Sequence, residues 1–210
     1  MIKLFMDTEF TGLRQDCDLI SIGIVAVDME SEEKEMSYFY AESIEYSQDK
    51  CSDFVVSEIL PHLILGDKPQ AFCQSSEKPN GYDSYAVLGT EEDITHHLIK
   101  WMHQFVPENY TKSEDGQIDI WGDCLAYDWV LFNHLFEDDG ELPRYINYIS
   151  FDISTMMKLK GVDPDISREE FASISHKDDV DNISHSSGKH NSLYDAMIIY
   201  YCYDELESMN

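Results

Sequence analysis

Basic residues are scarce in this chain. Its 210 residues include 14 Lys and Arg against 42 Asp and Glu, so the formal net charge is −28. So large an excess of negative charge repels polyanions, which argues against a general binder of nucleic acid or anionic membranes. It does not argue against a small local site in which a metal ion supplies the positive charge.

Long apolar runs and paired cysteines are also missing. No stretch approaches the roughly 18 apolar residues that mark a membrane-spanning helix, and the first apolar run breaks at Asp7, so we expect no signal peptide. The five cysteines are odd in number, scattered and without a C-x-x-C pair. Reduced intracellular thiols are the simplest explanation, and we expect a cytoplasmic protein.

The order of predicted elements favours a single mixed α/β domain over residues 1–210, with strands first and then alternating helices and short strands. Strands are predicted over 2–6, 19–27, 36–41 and 118–122, and helices over 53–60, 90–105, 126–136 and 193–206. A strand-to-helix step is predicted at 151–157, with Asp152 as the N-cap. Short connections favour an antiparallel meander for the first three strands. Residues 62–89 are predicted to form a long loop, and 161–189 a mobile loop or partly helical insert.

The first predicted strand carries two carboxylates, Asp7 and Glu9. Residues two apart on a strand project from the same face, so these carboxylates repel each other and lose hydration together. A divalent cation such as Mg²⁺ or Mn²⁺ would neutralise both. Because D-x-E is common by chance, an ordinary polar strand end before a Thr-Gly turn is an equal alternative for this motif alone.

Further chemistry-bearing residues adjoin apolar segments. Asp128 lies near the start of the predicted helix 126–136, and His190 precedes Asp195 by five positions. His190 in the loop ahead of the last helix and Asp195 one turn inside that helix would share a site. Gly188 and the capping residues that follow allow that placement.

In this order the motifs resemble the DEDD 3′–5′ exonucleases of the h subtype (DEDDh), which have an RNase H-like fold. The D-x-E motif of that family matches Asp7 and Glu9, the Asp of its middle helix matches Asp128, and its H-x-x-x-x-D motif matches His190 and Asp195. The resemblance covers nearly the whole chain. The pairing of Asp-Thr-Glu-Phe with Leu-Ile-Ser-Ile-Gly-Ile-Val-Ala is most similar to the mycobacterial-type exoribonuclease branch, related to oligoribonuclease and RNase T.

The resemblance implies hydrolysis from the 3′ end of RNA or single-stranded DNA, with RNA favoured and nucleoside 5′-monophosphates released. It implies two Mg²⁺ or Mn²⁺ ions, with His190 taking the proton from the attacking water. The expected metal ligands are Asp7, Glu9, Asp128 and Asp195. The residues expected to line the pocket of the terminal nucleotide are Phe10, Thr11, Gly12 and Leu13. Plain core packing is an equal alternative for Phe10 and Leu13, and the resemblance also allows a homodimer.

The middle motif has an alternative. Many members of the family have Asn four residues before the second Asp, where this chain has Cys124. Asp123 is therefore a conceivable substitute for Asp128. We favour Asp128 because an aromatic residue precedes it and a predicted helix follows.

The last motif has two competing matches. His176 and Asp181 repeat the H-x-x-x-x-D spacing, but they lie in a polar run without an apolar helix behind it. Tyr200 and Asp204 fit the Y-x-x-x-D spacing of the sister subtype, but they fall late in the predicted helix, where Tyr200 is expected in the core.

Two other functions compete with an exonuclease: an acidic binding protein that mimics nucleic acid, and a degenerate family member that binds a nucleotide without cleaving it. A mimic needs its acids on an exposed face, whereas the motif residues lie inside or beside apolar segments. The presence of all five makes a degenerate member less favoured. The cations closest to the motifs or in adjoining loops are Arg14, Lys158, Lys160 and Lys189.

Overall fold

A mixed β-sheet forms the centre of the protein in a computed structural model. The structure describes all residues except 33, 67, 69–71, 77–81, 107–109, 111–117, 137–141, 185–187 and 210. The strands are β1 (Ile2–Phe10), β2 (Leu19–Asp28), β3 (Met36–Ser43), β4 (Phe72–Ser76), β5 (Ser84–Gly89), β6 (Asp119–Gly122) and β7 (Phe151–Asp152). The helices are α1 (Glu91–His103), α2 (Asp128–His134), α3 (Ile153–Leu159), α4 (Arg168–Ser184) and α5 (Ser192–Ser208). Within the described residues, no helix is long and apolar enough to cross a membrane.

The described strands form one sheet in the order β4-β5-β3-β2-β1-β6-β7. The first three are antiparallel neighbours, which confirms the predicted meander. β5 joins β3 and β6 joins β1 in parallel, while the edge strand β4 is antiparallel to β5. The continuous apolar run of β2 reflects its central position, where both of its faces are covered.

Helices cover both faces of the sheet, so successive side chains of β1 enter two different cores. Leu4 and Met6 pack in the core that also holds residues of α1 and α2, whereas Phe5 packs in the core that holds residues of α3, α4 and α5. By the same alternation, Asp7 and Glu9 face the α5 side, and Thr8 faces the α2 side. The architecture is an RNase H-like α/β domain, as predicted.

Two helix starts follow the predicted capping chemistry. Thr90 and Asp93 form a reciprocal capping box at the start of α1. The Asp152 carboxylate accepts a hydrogen bond of 2.6 Å from the backbone N–H of Thr155 at the start of α3. The segment predicted as a helix over 53–60 contains a π-helical turn, Val55–Ile59, and a 3₁₀ turn, Leu60–His62. Pro61 lies in the first turn of the 3₁₀ segment, where no N–H is needed.

The loop predicted over 62–89 is wrong in part, because β4 and β5 lie within it. Parallel pairing with β3 buries Tyr85, Val87 and Leu88. A strand this short shows little periodicity in the sequence, and its partner lies more than 40 residues earlier. In 161–189 the structure contains α4, in agreement with a partly helical insert, and His176 forms a kink inside that helix.

The first turn of α5 lies directly against β2 at Gly23. A Cβ atom added at Gly23 would lie 2.2 Å from the backbone nitrogen of Leu193 and 2.3 Å from the carbonyl carbon of Ser192. The side-chain hydroxyls of Ser21 and Ser192 are 3.0 Å apart beside this contact. Because Gly23 pairs with Asp7 across the two strands, this packing brings the start of α5 next to Asp7.

We expect Gly23→Ala to destabilise the protein by about 1–3 kcal/mol, because the new methyl group meets backbone atoms that cannot rotate away. Gly66→Ala is the matched control, since no atom lies within 4 Å of the Cβ that it would add. Urea denaturation of both variants measures the difference. Equal stability of Gly23→Ala and the wild type would show that α5 does not depend on this contact.

Candidate active site

A cleft of about 560 Å³ opens where β1 ends beside α5. Asp7 and Glu9 line it from β1, and His190 and Asp195 line it from the start of α5. The cleft thus brings together four of the five residues predicted to carry the chemistry. Its other wall is formed by residues 164–169, ahead of and at the start of α4.

The start of α5 fixes the relative positions of His190 and Asp195. Asn191 is the N-cap, and its side-chain oxygen accepts hydrogen bonds from the backbone N–H groups of Leu193 (3.2 Å) and Tyr194 (3.3 Å). His190 precedes the cap with a φ of 66°, a left-handed backbone conformation that is uncommon for a residue with a side chain. Its N–H donates to Oδ2 of Asp195 at 3.0 Å. The H-x-x-x-x-D spacing therefore closes a local hydrogen-bonded loop.

The Glu9 and Asp195 carboxylates form a candidate metal centre beside the imidazole of His190. One ligand-type atom of each of these three residues lies within 4.8 Å of the other two. Carboxylate oxygens are the ligands that Mg²⁺ or Mn²⁺ prefers. Within the described part of the chain, no Lys or Arg side chain forms an ion pair with Asp7, Glu9 or Asp195. The residues present therefore fit a divalent cation.

Burial and mutual repulsion raise the pKa values of these acids. Burial, with the charges of Asp195 and Asp128, raises the pKa of Glu9 to about 9. Burial raises the pKa of Asp195 to about 7, although the His190 N–H opposes the shift. The pKa of Asp7 lies well above its ordinary value because of burial and the neighbouring Asp195, Asp128 and Glu9. A cation in the cleft would remove the cause of the repulsion.

Asp128 reaches β1 from the opposite face of the sheet. It begins α2, and its Oδ1 accepts hydrogen bonds from the N–H (3.0 Å) and the hydroxyl (2.6 Å) of Thr8. Burial raises the pKa of Asp128, while the two bonds from Thr8 lower it. Asp128 does not line the cleft itself, but its charge is among those that raise the pKa of Asp7.

Asp123 lines the cleft but is already paired. Arg168 donates to both of its oxygens, from Nε at 2.8 Å and from Nη2 at 3.0 Å, and the Ser154 hydroxyl donates at 2.6 Å. These bonds neutralise the Asp123 carboxylate. Asp123 thus lies in the cleft with a paired carboxylate, whereas Asp128 lies outside the cleft and is bonded to Thr8, so the assignment of Asp128 as the middle-motif acid stays a prediction.

Residues 10–13 leave β1 along the site. The Phe10 ring stacks on Tyr127, with centroids 5.2 Å apart, and packs against the core as a partly buried side chain. Thr11 is fully buried, and its hydroxyl accepts from the N–H of Asp18 at 3.0 Å. Leu13 is 77% exposed, so the alternative that it is a core residue is wrong. Gly12 joins the buried Thr11 to the exposed Leu13.

Of the competing matches to the last motif, His176, Tyr200 and Asp204 do not line the cleft. His176 contacts Asp204 at 3.1 Å and stacks on Tyr201 between α4 and α5. The side chain of Asp181 lies outside the described residues. Tyr200 is buried against Phe5, as expected for a core residue.

Two neighbours of the site carry no motif in the sequence. Phe54 contacts the His190 ring edge to face, with centroids 5.3 Å apart. Arg168 lines the cleft from the start of α4. Both are isolated residues in stretches without a diagnostic spacing, so only the tertiary structure reveals them.

A family of known proteins and a solved structure are similar to this chain. The family described as "3′-5′ exoribonuclease Rv2179c-like domain" matches residues 2–205. Among solved structures, that of cell-death related nuclease 4 (CRN-4) is similar, with a TM-score of 0.57 and 13% sequence identity. The similarity covers all of this chain and 64% of that one, and at this identity it establishes the fold alone. No curated protein matches.

The raised pKa values predict how stability depends on pH without metal. The folded state holds more protons than the unfolded chain between about pH 4 and 9, so the contribution of Glu9 and Asp195 falls as pH rises through that range. In EDTA at pH 8, Asp7→Asn should therefore raise the melting temperature, by about 2–4 °C for each 1 kcal/mol of relieved repulsion. Added Mn²⁺ should stabilise the wild type more than this variant.

The control is Asp53→Asn, which removes an exposed acid of equal charge. Calorimetric scans in EDTA and in Mn²⁺ measure both effects. An Asp7→Asn variant less stable than the wild type in EDTA would contradict the repulsion.

Proposed function

Because the chain belongs to the family of Rv2179c-like 3′–5′ exoribonuclease domains, we propose that it is a metal-dependent 3′–5′ exonuclease of the DEDDh type. It hydrolyses phosphodiester bonds from the 3′ end, prefers RNA to single-stranded DNA, and releases nucleoside 5′-monophosphates. The observation that carries the proposal is the convergence of Glu9, His190 and Asp195 on one point beside Asp7. The five cysteines are free, which supports action in the reducing cytoplasm.

The acids have the role of metal ligands in this proposal. Two Mg²⁺ or Mn²⁺ ions held by these acids would supply a more acidic water and positive charge for the leaving 3′ oxygen. The residues proposed to hold them are Asp7, Glu9, Asp128 and Asp195. Thr8 orients Asp128 through its two hydrogen bonds, and the His190 N–H orients Asp195.

His190 has the role of general base. Burial and the nearby Lys189 lower the pKa of its imidazole, so the ring is neutral near pH 7 and able to accept a proton. The edge contact with Phe54 restricts the ring on one side. Phe10, Thr11, Gly12 and Leu13 are proposed to contact the terminal nucleotide, where Leu13 offers an exposed apolar side chain.

An acidic nucleic-acid mimic is a weaker second candidate. The −28 charge suits it, but the acids of the candidate site are buried or half-buried in a cleft. Purified protein incubated with 3′- and 5′-labelled RNA and DNA oligomers, in Mn²⁺ or EDTA, separates the two. Stepwise shortening of 5′-labelled RNA from its 3′ end, abolished by EDTA, is the result expected of the exonuclease.

The general-base role predicts that His190→Ala lowers kcat by about 10²–10⁴-fold while Mn²⁺ binding is largely kept. His176→Ala is the matched control, because His176 lies between α4 and α5, away from the cleft. Single-turnover cleavage of a labelled RNA oligomer measures both rates. A larger loss in His176→Ala would mean that the wrong histidine has been assigned.

The charge predicts a short contact with the substrate. Arg14 pairs with Asp16, Lys189 pairs with Glu169, and all five N–H groups of Arg168 are bonded within the protein. Phosphates beyond the metal site would therefore meet few available cations in a repulsive field. The ratio kcat/KM should change little with oligomer length. Moderate salt should not produce the steep loss of affinity expected for about 6–10 phosphate contacts.

Kinetics on oligomers of increasing length at two salt concentrations tests this. Lys158→Ala and Lys160→Ala are useful comparisons. Both side chains are exposed, and both residues shortly precede residues 164–169, which line the cleft. A steep gain with length that disappears in salt would reveal a basic track.

A further inference from the structure

A buried hydrogen-bond network lies behind the candidate active site and outside the cleft. It is built from Tyr40 and Glu42 on β3 and from Asn191, the N-cap of α5, and each of the three is only 2% exposed. Oε1 of Glu42 accepts from the Tyr40 hydroxyl at 2.7 Å. The same hydroxyl accepts from Nδ2 of Asn191 at 3.2 Å.

Asn191 uses its whole hydrogen-bonding capacity in this position. Nδ2 donates to the Tyr40 hydroxyl and to the carbonyl of His62 (3.1 Å), while Oδ1 accepts from the N–H groups of Leu193 and Tyr194. The side chain therefore ties α5 to β3 and to the 3₁₀ turn Leu60–His62. A buried amide with every donor and acceptor paired has one favourable orientation.

Glu42 anchors the segment that follows that turn. Its Oε1 also accepts from the N–H groups of Ile64 (2.6 Å) and Leu65 (2.9 Å). The helical residues that end in the turn Leu60–His62 begin at residue 53, next to Phe54, whose ring contacts His190. One network therefore holds Asn191, the neighbour of His190, together with residues 62–65, which follow the helical segment that carries Phe54.

His190 needs such support because its backbone is in the left-handed region. A residue with a Cβ atom keeps that strained conformation only where surrounding contacts over-determine it. Asn191 follows His190 directly, so freeing its side chain would let the strain relax and the imidazole move. Displacements of this kind cost rate even when no reacting group is removed.

We propose that Tyr40, Glu42 and Asn191 are positioning residues that hold His190 in its left-handed conformation. They act on the chemical step and not on substrate binding. This inference rests on the proposed function of His190 as general base.

The test uses two variants that cut the network and keep its packing. Tyr40→Phe removes the hydroxyl, and Asn191→Ser removes the Nδ2 donor while keeping an oxygen that caps α5. Each should lower kcat about 10- to 100-fold with KM changed less than about 2-fold, as expected for a misplaced catalytic group. Tyr85→Phe, on the neighbouring strand and facing α1, is the control and should leave both constants unchanged.

Double variants with His190→Ala distinguish positioning from general damage. If Tyr40 acts through His190, Tyr40→Phe should cost less than about 2-fold in the His190→Ala background. An equal loss in both backgrounds, or a loss expressed in KM, would overturn the proposal. Glu42→Gln should keep most of kcat because its amide oxygen still accepts, whereas Glu42→Leu should lose it.

Amide hydrogen exchange tests the network without cleavage. The His190 N–H, bonded to Asp195, should exchange faster in Tyr40→Phe than in the wild type, and Tyr85→Phe should have no effect. Unchanged exchange would overturn the positioning role. A wild type that cleaves neither RNA nor DNA would instead overturn the proposed function, and the exchange data would still decide the structural part.

Discussion

Direct packing of the first turn of α5 on Gly23 is the constraint on which the candidate site depends. A side chain at that position would overlap backbone atoms of Ser192 and Leu193, so only glycine allows the approach. The approach places Asp195 beside the strand that carries Asp7 and Glu9. A side chain at position 23 would push the start of α5, and Asp195 with it, away from the strand that carries Asp7 and Glu9.

The same packing creates an electrostatic cost within the site. Burial raises the pKa values of Glu9, Asp195 and Asp7, and the described residues offer these acids no Lys or Arg ion-pair partner. Arg168, which lines the cleft, is bonded to Asp123 and to the loop before α4. Lys189 also lines the cleft and pairs with Glu169. Neither of these basic residues forms an ion pair with the acids that are proposed to bind metal, at the expense of stability when metal is absent.

Much of this site is predictable because its motifs are local. Alternation along β1 puts Asp7 and Glu9 on one face, and the spacing from His190 to Asp195 matches one turn beyond an N-cap. The apolar run of β2 likewise indicates a central strand. These inferences need only neighbours in the sequence.

The parts that could not be predicted depend on long-range contacts. Asp128 meets Thr8 across 120 residues and from the other face of the sheet. The ion pair between Asp123 and Arg168 joins the end of β6 to α4, and no sequence motif or residue spacing predicts it. β5 is recognisable as a strand only once β3 is beside it, and the left-handed backbone of His190 appears only in three dimensions.

The central claim is that the repelling acids of the cleft form a metal centre. A crystal structure of the wild type grown with Mn²⁺, with data collected near the manganese absorption edge, tests it most directly. We expect strong anomalous density between Glu9 and Asp195, with Asp7 turned towards it. A metal-free cleft in which Lys189 or Arg168 pairs with these carboxylates would contradict the account.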